Sequence, residues 1–154
     1  MNGATVRVSG RIRVGLPPDE ALRLFTPRGE QDWVAGWAPR FPVPTTDDGE
    51  PGTVFETDAH GATTTWLVLA RQAGRHISYA RVTPGARAGT VTVEVHGKGD
   101  HSEVEVTYAL TALNGAAVPG LREFADGYPA FLRSWQDAIA EWLSGPGGGV
   151  RCRA

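Results

Sequence analysis

The sequence predicts a single α+β domain in which a curved antiparallel sheet closes over one long C-terminal helix. Three observations predict it. Strand-like alternation dominates residues 53 to 113 without an intervening helix, a pair of short helical segments follows the first strand, and the last long segment switches to helical period.

The first strand is read from Val6, Val8, Ile12 and Val14, which alternate with Arg7, Ser9, Arg11 and Arg13. Period two means one buried face and one wet face. Pro17 and Pro18 stop this strand, and Asp19 to Phe25 reads as a short helix with Ala21, Leu22 and Phe25 inward. Thr26 followed by Pro27 is a helix-start signal, so a second short helix is expected from Pro27 to Gly36. A turn-rich loop from Pro42 to Gly52 comes next. Strand-like runs then cover Thr53–Asp58, Thr63–Ala70, His76–Thr83, Thr90–His96 and Glu103–Leu113. Their short links fit neighbouring antiparallel strands, hence a meander.

Pro119 to Leu143 carries Leu121, Phe124, Tyr128, Phe131, Leu132, Trp135, Ile139 and Trp142 at helical spacing. Gly127 and Pro129 interrupt it, and a proline inside a helix removes a backbone donor. A kink or break near Tyr128 is expected. Residues 1–143 form the expected domain, and the glycine-rich stretch within 144–154 is expected to be a flexible tail.

With 154 residues and a formal net charge of -2, the chain has room for one core and no general basic field to hold nucleic acid. Arg7, Arg11 and Arg13 share a strand face, which reads as a solvated edge or a local basic patch. Cys152 is the only cysteine, so no internal disulfide can form. No apolar leader or membrane span is found, and the expectation is a soluble, cytoplasmic protein, monomer or homodimer. The four histidines, His60, His76, His96 and His101, form no HxH or HExxH pattern. Neither a metal nor a cofactor is expected.

The order strand, two short helices, antiparallel strands, long helix resembles the topology of the SRPBCC/START/Bet v 1-like superfamily. Locally, "LFTPRGEQDWVAGWAP" at Leu24 to Pro39, "GTVFETD" at Gly52 to Asp58, "RHISYARVTPGARAGTVTVEV" at Arg75 to Val95 and "YALTAL" at Tyr108 to Leu113 resemble a bacterial subgroup of polyketide cyclase/dehydrase and lipid-transport-like proteins. The resemblance covers roughly Val6 to Leu143 and implies the helix-grip fold. It also implies an internal pocket for a small hydrophobic molecule. The superfamily includes carriers, aromatase/cyclases, condensing enzymes, co-chaperone-like activators and oxygenase domains, so resemblance supports fold better than activity.

Site candidates follow from strand parity and helix phase. Glu30, Trp33 and Trp37 fall on one stripe of the second short helix. The tryptophans either pin that helix to the sheet or wall a pocket mouth with Glu30 as its polar group. Beside two indoles a carboxyl loses solvation, which raises its pKa and suits it to proton transfer. Ile77, Tyr79, Arg81 and Thr83 share one strand face. If that face is inward, Arg81 needs an anion, either Glu30, Glu56 or Asp58 or an acidic group of a ligand. The opposite parity, with Ala80 and Val82 inside, sends Arg81 to solvent, and the sequence leaves both open. Phe55, Trp66, Tyr108, Phe124, Tyr128 and Phe131 are further lining candidates, or simply core. A kink at Pro129 would aim the Tyr128 hydroxyl inward.

Three functions fit this reading. The first is a binder of a lipid-, polyketide- or aromatic-like molecule. The second is a polyketide cyclase/aromatase-like enzyme using Glu30, Arg81 or a pocket tyrosine such as Tyr128. The third is a co-chaperone-like interaction module. A carrier predicts an apolar interior, an enzyme converging polar groups, and an interaction module an exposed apolar patch.

Overall fold

Residues 4–145 are described by a computed structural model. The first strand, β1 (Thr5–Val14), turns its arginines outward and buries Ile12 and Val14, as its alternation requires. A short helix, α1 (Pro18–Arg23), follows with Ala21 and Leu22 buried. The second short helix is reduced to one 3-10 turn, Gly29–Asp32. Thr26 makes the side-chain bond of an N-cap to the amide three residues on, and its carbonyl accepts from the Glu30 amide at 3.1 Å. Its hydroxyl accepts from the Gly29 amide at 3.0 Å and donates to the Arg23 carbonyl at 2.9 Å, which folds the chain back on α1. Gly36, at φ 77°, closes the segment.

Five strands then run in sequence: β2 (Val54–Ala59), β3 (Ala62–Gln72), β4 (His76–Thr83), β5 (Arg87–Gly97) and β6 (Ser102–Ala112). With β1 they form one antiparallel sheet in the order β1-β6-β5-β4-β3-β2. The tight β2–β3 link has both central residues at positive φ, His60 at 52° and Gly61 at 78°, as a primed hairpin turn demands. A bulge between Val68 and Ala70 shifts the register of β3 against β4. This extra residue turns Arg71 to the Ile77 side, where it pairs with Asp47 at 2.6 Å and anchors the long loop.

The C-terminal rod is two helices. α2 (Val118–Asp126) ends at Gly127, and α3 (Tyr128–Ser144) restarts with Pro129 in its first turn, where a missing amide costs nothing. The expected tail lies, from residue 146 on, outside the described residues. α3 packs chiefly on β1, and α2 on β1 and β6. Val93, Val95, Val104, Val106, Leu110, Leu121, Leu132 and Ile139 fill the space beneath. Burying each of the larger aliphatic side chains contributes about 1.5–3 kcal/mol. No helix among the described residues is long and apolar enough to cross a membrane.

Two glycines allow close approach. A Cβ on Gly10 would lie 2.6 Å from Leu132 Cδ1, the end of a flexible side chain. A Cβ on Gly89 would lie 1.9 Å from the Ala109 carbonyl oxygen, which is backbone. Gly89 therefore lets β5 curl tightly over β6. Gly89→Ala is expected to cost about 1–3 kcal/mol through strain that only the backbone can relieve. Gly10→Ala should cost less, because Leu132 can rotate away, and urea denaturation of the two variants checks the ranking.

Candidate functional site

The inward parity of β4 decides the polar content of the interior. Ile77, Tyr79 and Thr83 are buried on that face, and Arg81 goes with them while Val82 is exposed. Across the sheet Arg81 stands between Trp66 of β3 and Gly89 of β5. Its guanidinium carbon lies 4.8 Å from the Trp66 ring centroid, and its Nη2 donates to Thr83 Oγ1 at 3.3 Å. Its buried Nε has no hydrogen-bond partner among the described residues.

The expected internal anions do not serve it. Glu56 and Asp58 point away from the Phe55 and Thr57 face and pair instead with Arg40, Glu56 at 3.4 Å. Burial pulls the arginine's pKa down; Tyr108 opposes this in part, and the Arg87 charge adds a smaller push downward. Arg81 is half-buried, and the cation–π contact with Trp66 offsets only part of the cost of drawing its charge away from water. Arg81 is thus an inward cation short of a counter-ion.

Glu30 comes from the 3-10 turn rather than from a helical stripe. The residue is half-buried. Burial alone holds its pKa well above the ordinary value of 4.5. Its charge and burial both push up the hydroxyls of Tyr79 and Tyr108, burial more strongly. Arg81 acts on Tyr108 in the opposite sense, so Tyr108 lies in the field of both groups. The Tyr108 side chain is buried, and its hydroxyl has no hydrogen bond among the described residues.

The aromatic side chains form two walls. One joins Trp37, Phe41, Phe55, Trp66 and Tyr79, with Phe55 and Trp66 stacked at 5.6 Å and 3°. The other runs from Trp33 and Phe25 through Trp135 and Phe131 to Phe124, Tyr128 and Tyr108. Among the described residues no ring contact joins one wall to the other. Arg81 leans on the first wall, Tyr108 belongs to the second, and Glu30 acts on a tyrosine of each.

Most other polar handles in these walls are already engaged. Trp33 Nε1 donates to the Leu24 carbonyl at 2.8 Å and Trp37 Nε1 to the Pro27 carbonyl at 2.7 Å, so both indoles tie the irregular segment to itself. Trp66 Nε1 donates to Thr57 Oγ1 at 3.0 Å, and the Tyr79 hydroxyl donates to the Phe25 carbonyl at 2.7 Å. The Tyr128 hydroxyl donates to the Val106 carbonyl at 2.5 Å. The helix break places Tyr128 inward but fastens its hydroxyl to the sheet.

Sequence reasoning missed Arg87, whose guanidinium carbon lies 5.8 Å from the Phe124 ring centroid. Its place at inner-face spacing two residues before Gly89 was the available signal. Of the basic stripe on β1, Arg11 meets Glu103 at 3.1 Å and Glu105 at 3.7 Å, a solvated pair rather than a polyanion surface. The outer face of β2–β4 exposes Val54, Leu67, Leu69 and Val82. Separately, an open surface groove of about 420 Å³ runs between Arg13, Gly15, Gln136, Ile139 and Leu143.

A six-stranded antiparallel sheet gripping a C-terminal helix, with polar groups turned to its inner face, defines the α+β class of the Bet v 1-like fold. Within that class the chain belongs to the family described as polyketide cyclase / dehydrase and lipid transport, which matches residues 5–147. No curated protein matches the sequence. Among solved structures, the Mll3558 protein from Rhizobium loti aligns with a TM-score of 0.68 at 15% identity, over 90% of this chain and 99% of that one. Norcoclaurine synthase from Thalictrum flavum, in complex with dopamine and hydroxybenzaldehyde, aligns at 0.62 and 13% identity, over 92% and 87%. The Aha1 dimer from Colwellia psychrerythraea aligns at 0.61 and 13% identity, over 87% and 96%. At such identities the likeness is one of fold.

The electrostatics of Glu30 set a pH dependence. Its folded pKa is raised, so the folded chain holds a proton that the unfolded chain has released above about pH 4.5. Stability from this group therefore falls as pH rises from that value toward the folded pKa. Glu30→Gln should raise the Tm at pH 7–8, with a gain that shrinks as pH approaches 4.5. Parallel Tm–pH curves for the two proteins would show that Glu30 does not carry the buried titration.

Proposed function

We propose that the chain binds a small, largely apolar molecule bearing one acidic or carbonyl group, held between the helices and the concave face of the sheet. The observation that carries this reading is Arg81 on the inner face, stacked on Trp66 with its buried Nε unpartnered, beside Tyr108, which feels both Arg81 and Glu30. Aromatic surface supplies affinity by burial, and a few polar groups set orientation. In this reading Arg81 receives the ligand's oxygen anion or enolate. Trp66 and Phe55 form its platform, and Trp37, Phe124 and Phe131, each half-buried, edge the opening. Membership of a polyketide cyclase / dehydrase and lipid-transport family supports a ligand of this type.

A second reading rests on the same groups and on the elevated pKa of Glu30. A neutral carboxylic acid at working pH can donate a proton, and a cation on the other side can stabilise an enolate as it forms. Cyclisation or condensation of a polyketide-like substrate needs little more, provided that the walls hold the reacting atoms close. Norcoclaurine synthase, bound in its structure to dopamine and hydroxybenzaldehyde, shows that the fold accommodates two aromatic molecules.

Native mass spectrometry of the purified protein should find a retained small molecule. For a series of ligand pairs differing only in a carboxylate against its amide, Arg81→Ala should weaken the acid by about tenfold or more, equivalent to losing a charged hydrogen bond of about 1.5–3 kcal/mol. The amide should change little. Equal loss for both members would remove Arg81 from the binding site.

A further inference from the structure

We propose that the outer face of the sheet carries a site for a divalent transition-metal ion of the zinc type, built from Glu94 and His96 of β5 and Glu105 of β6. The ligand atoms of these three side chains all lie within 4.8 Å of one another. The register makes the grouping. Glu94 stands directly opposite Glu105, and His96 lies two residues along β5 on the same face. Two like charges directly opposed across strands are unfavourable unless a cation lies between them. The Nε2 atom of His96 is buried without a hydrogen bond, 3.8 Å from Glu105 Oε1.

Bonds of about 2.0–2.2 Å around a tetrahedral ion put neighbouring ligand atoms about 3.4 Å apart. Side-chain rotation by an ångström or less closes the difference, and the strands need not move. The surrounding groups suit such a site. His76 Nδ1 lies 3.7 Å from Glu94 Oε2, and Ser9 Oγ donates to Glu105 Oε2 at 3.3 Å, two contacts that orient the carboxylates from outside. Arg11 is the competing cation, 3.7 Å from Glu105, but it keeps Glu103 at 3.1 Å when it yields. One imidazole with two carboxylates is a borderline donor set that favours zinc over calcium or magnesium, whose sites are all oxygen. Three protein ligands leave a fourth position for water or a partner's side chain. The site lies across the sheet from the interior and is independent of the function proposed for it.

Isothermal titration of zinc chloride into chelator-treated protein carrying Cys152→Ser, at pH 7.5, tests the assignment. One ion per chain should bind, and His96→Ala, Glu94→Gln and Glu105→Gln should each raise Kd by more than about tenfold. His60→Ala should leave it unchanged. Long-range ¹H–¹⁵N spectra of the unsubstituted protein should show the His96 Nε2 resonance moving on saturation, a readout that does not depend on any variant folding. Absence of saturable binding at millimolar zinc, binding that survives His96→Ala, or an unmoved His96 ring would each overturn the site.

Discussion

The two-sidedness of β4 is the constraint on which the interior depends. Both edges of this strand are paired, to β3 from Thr65 to Gln72 and to β5 from Arg87 to Glu94, so its register is held from two sides. A slip of one residue would exchange every side chain between faces. Ala80 and Val82 would enter the core, while Tyr79 and Arg81 would leave it. The Tyr79 hydroxyl adds a third restraint through its bond to the Phe25 carbonyl, which fixes the sheet to the end of the first helical segment. Arg81 stays over the Trp66 ring, and Tyr108 shares its field, because this strand does not slip.

The interior polar groups belong to no conspicuous sequence motif. Arg81, Glu30 and Tyr108 come from a strand, a 3-10 turn and a different strand, separated by long stretches of sequence. None forms an ion pair with another. Each has burial as the largest influence on its titration, and each feels its neighbours as well or is felt by them. Low polarity around them magnifies whatever charge a bound molecule brings. Solved structures that share this architecture do so at 13–18% identity, and a shared fold does not by itself set function.

Most of the fold was legible because alternation and helical period are strong signals. All six strands were found where they lie, and the interruption at Gly127 and Pro129 was anticipated from proline chemistry. The segment after Thr26 was less legible. Its helix-start signal is used, since the Thr26 hydroxyl accepts from the Gly29 amide, but only one 3-10 turn follows, and the two tryptophans secure the chain through their indole N–H groups instead of through helical packing. Orientation of Arg81 was undecided in sequence, since Ile77 and Tyr79 on one face compete with Ala80 and Val82 on the other. The grouping of Glu94, His96 and Glu105 was invisible there. No short motif joins them, and only the β5–β6 register makes neighbours of residues 94 and 105.

The interruption at Gly127 divides the covering layer into unequal lengths with separate anchors. The seventeen residues of α3 are clamped to β1, where Gly10 admits Leu132 and Gln136 accepts from the Arg13 amide at 2.7 Å. The nine residues of α2 hang between that clamp and Asn114, which caps the preceding 3-10 turn and reaches the Gly85 carbonyl at 2.9 Å. Phe124 of the shorter piece covers Tyr108 and Arg87, while Tyr128 and Phe131 of the longer piece cover Tyr108 as well. The covering layer is therefore held by two separate sets of contacts, one along β1 and one at the β4–β5 turn.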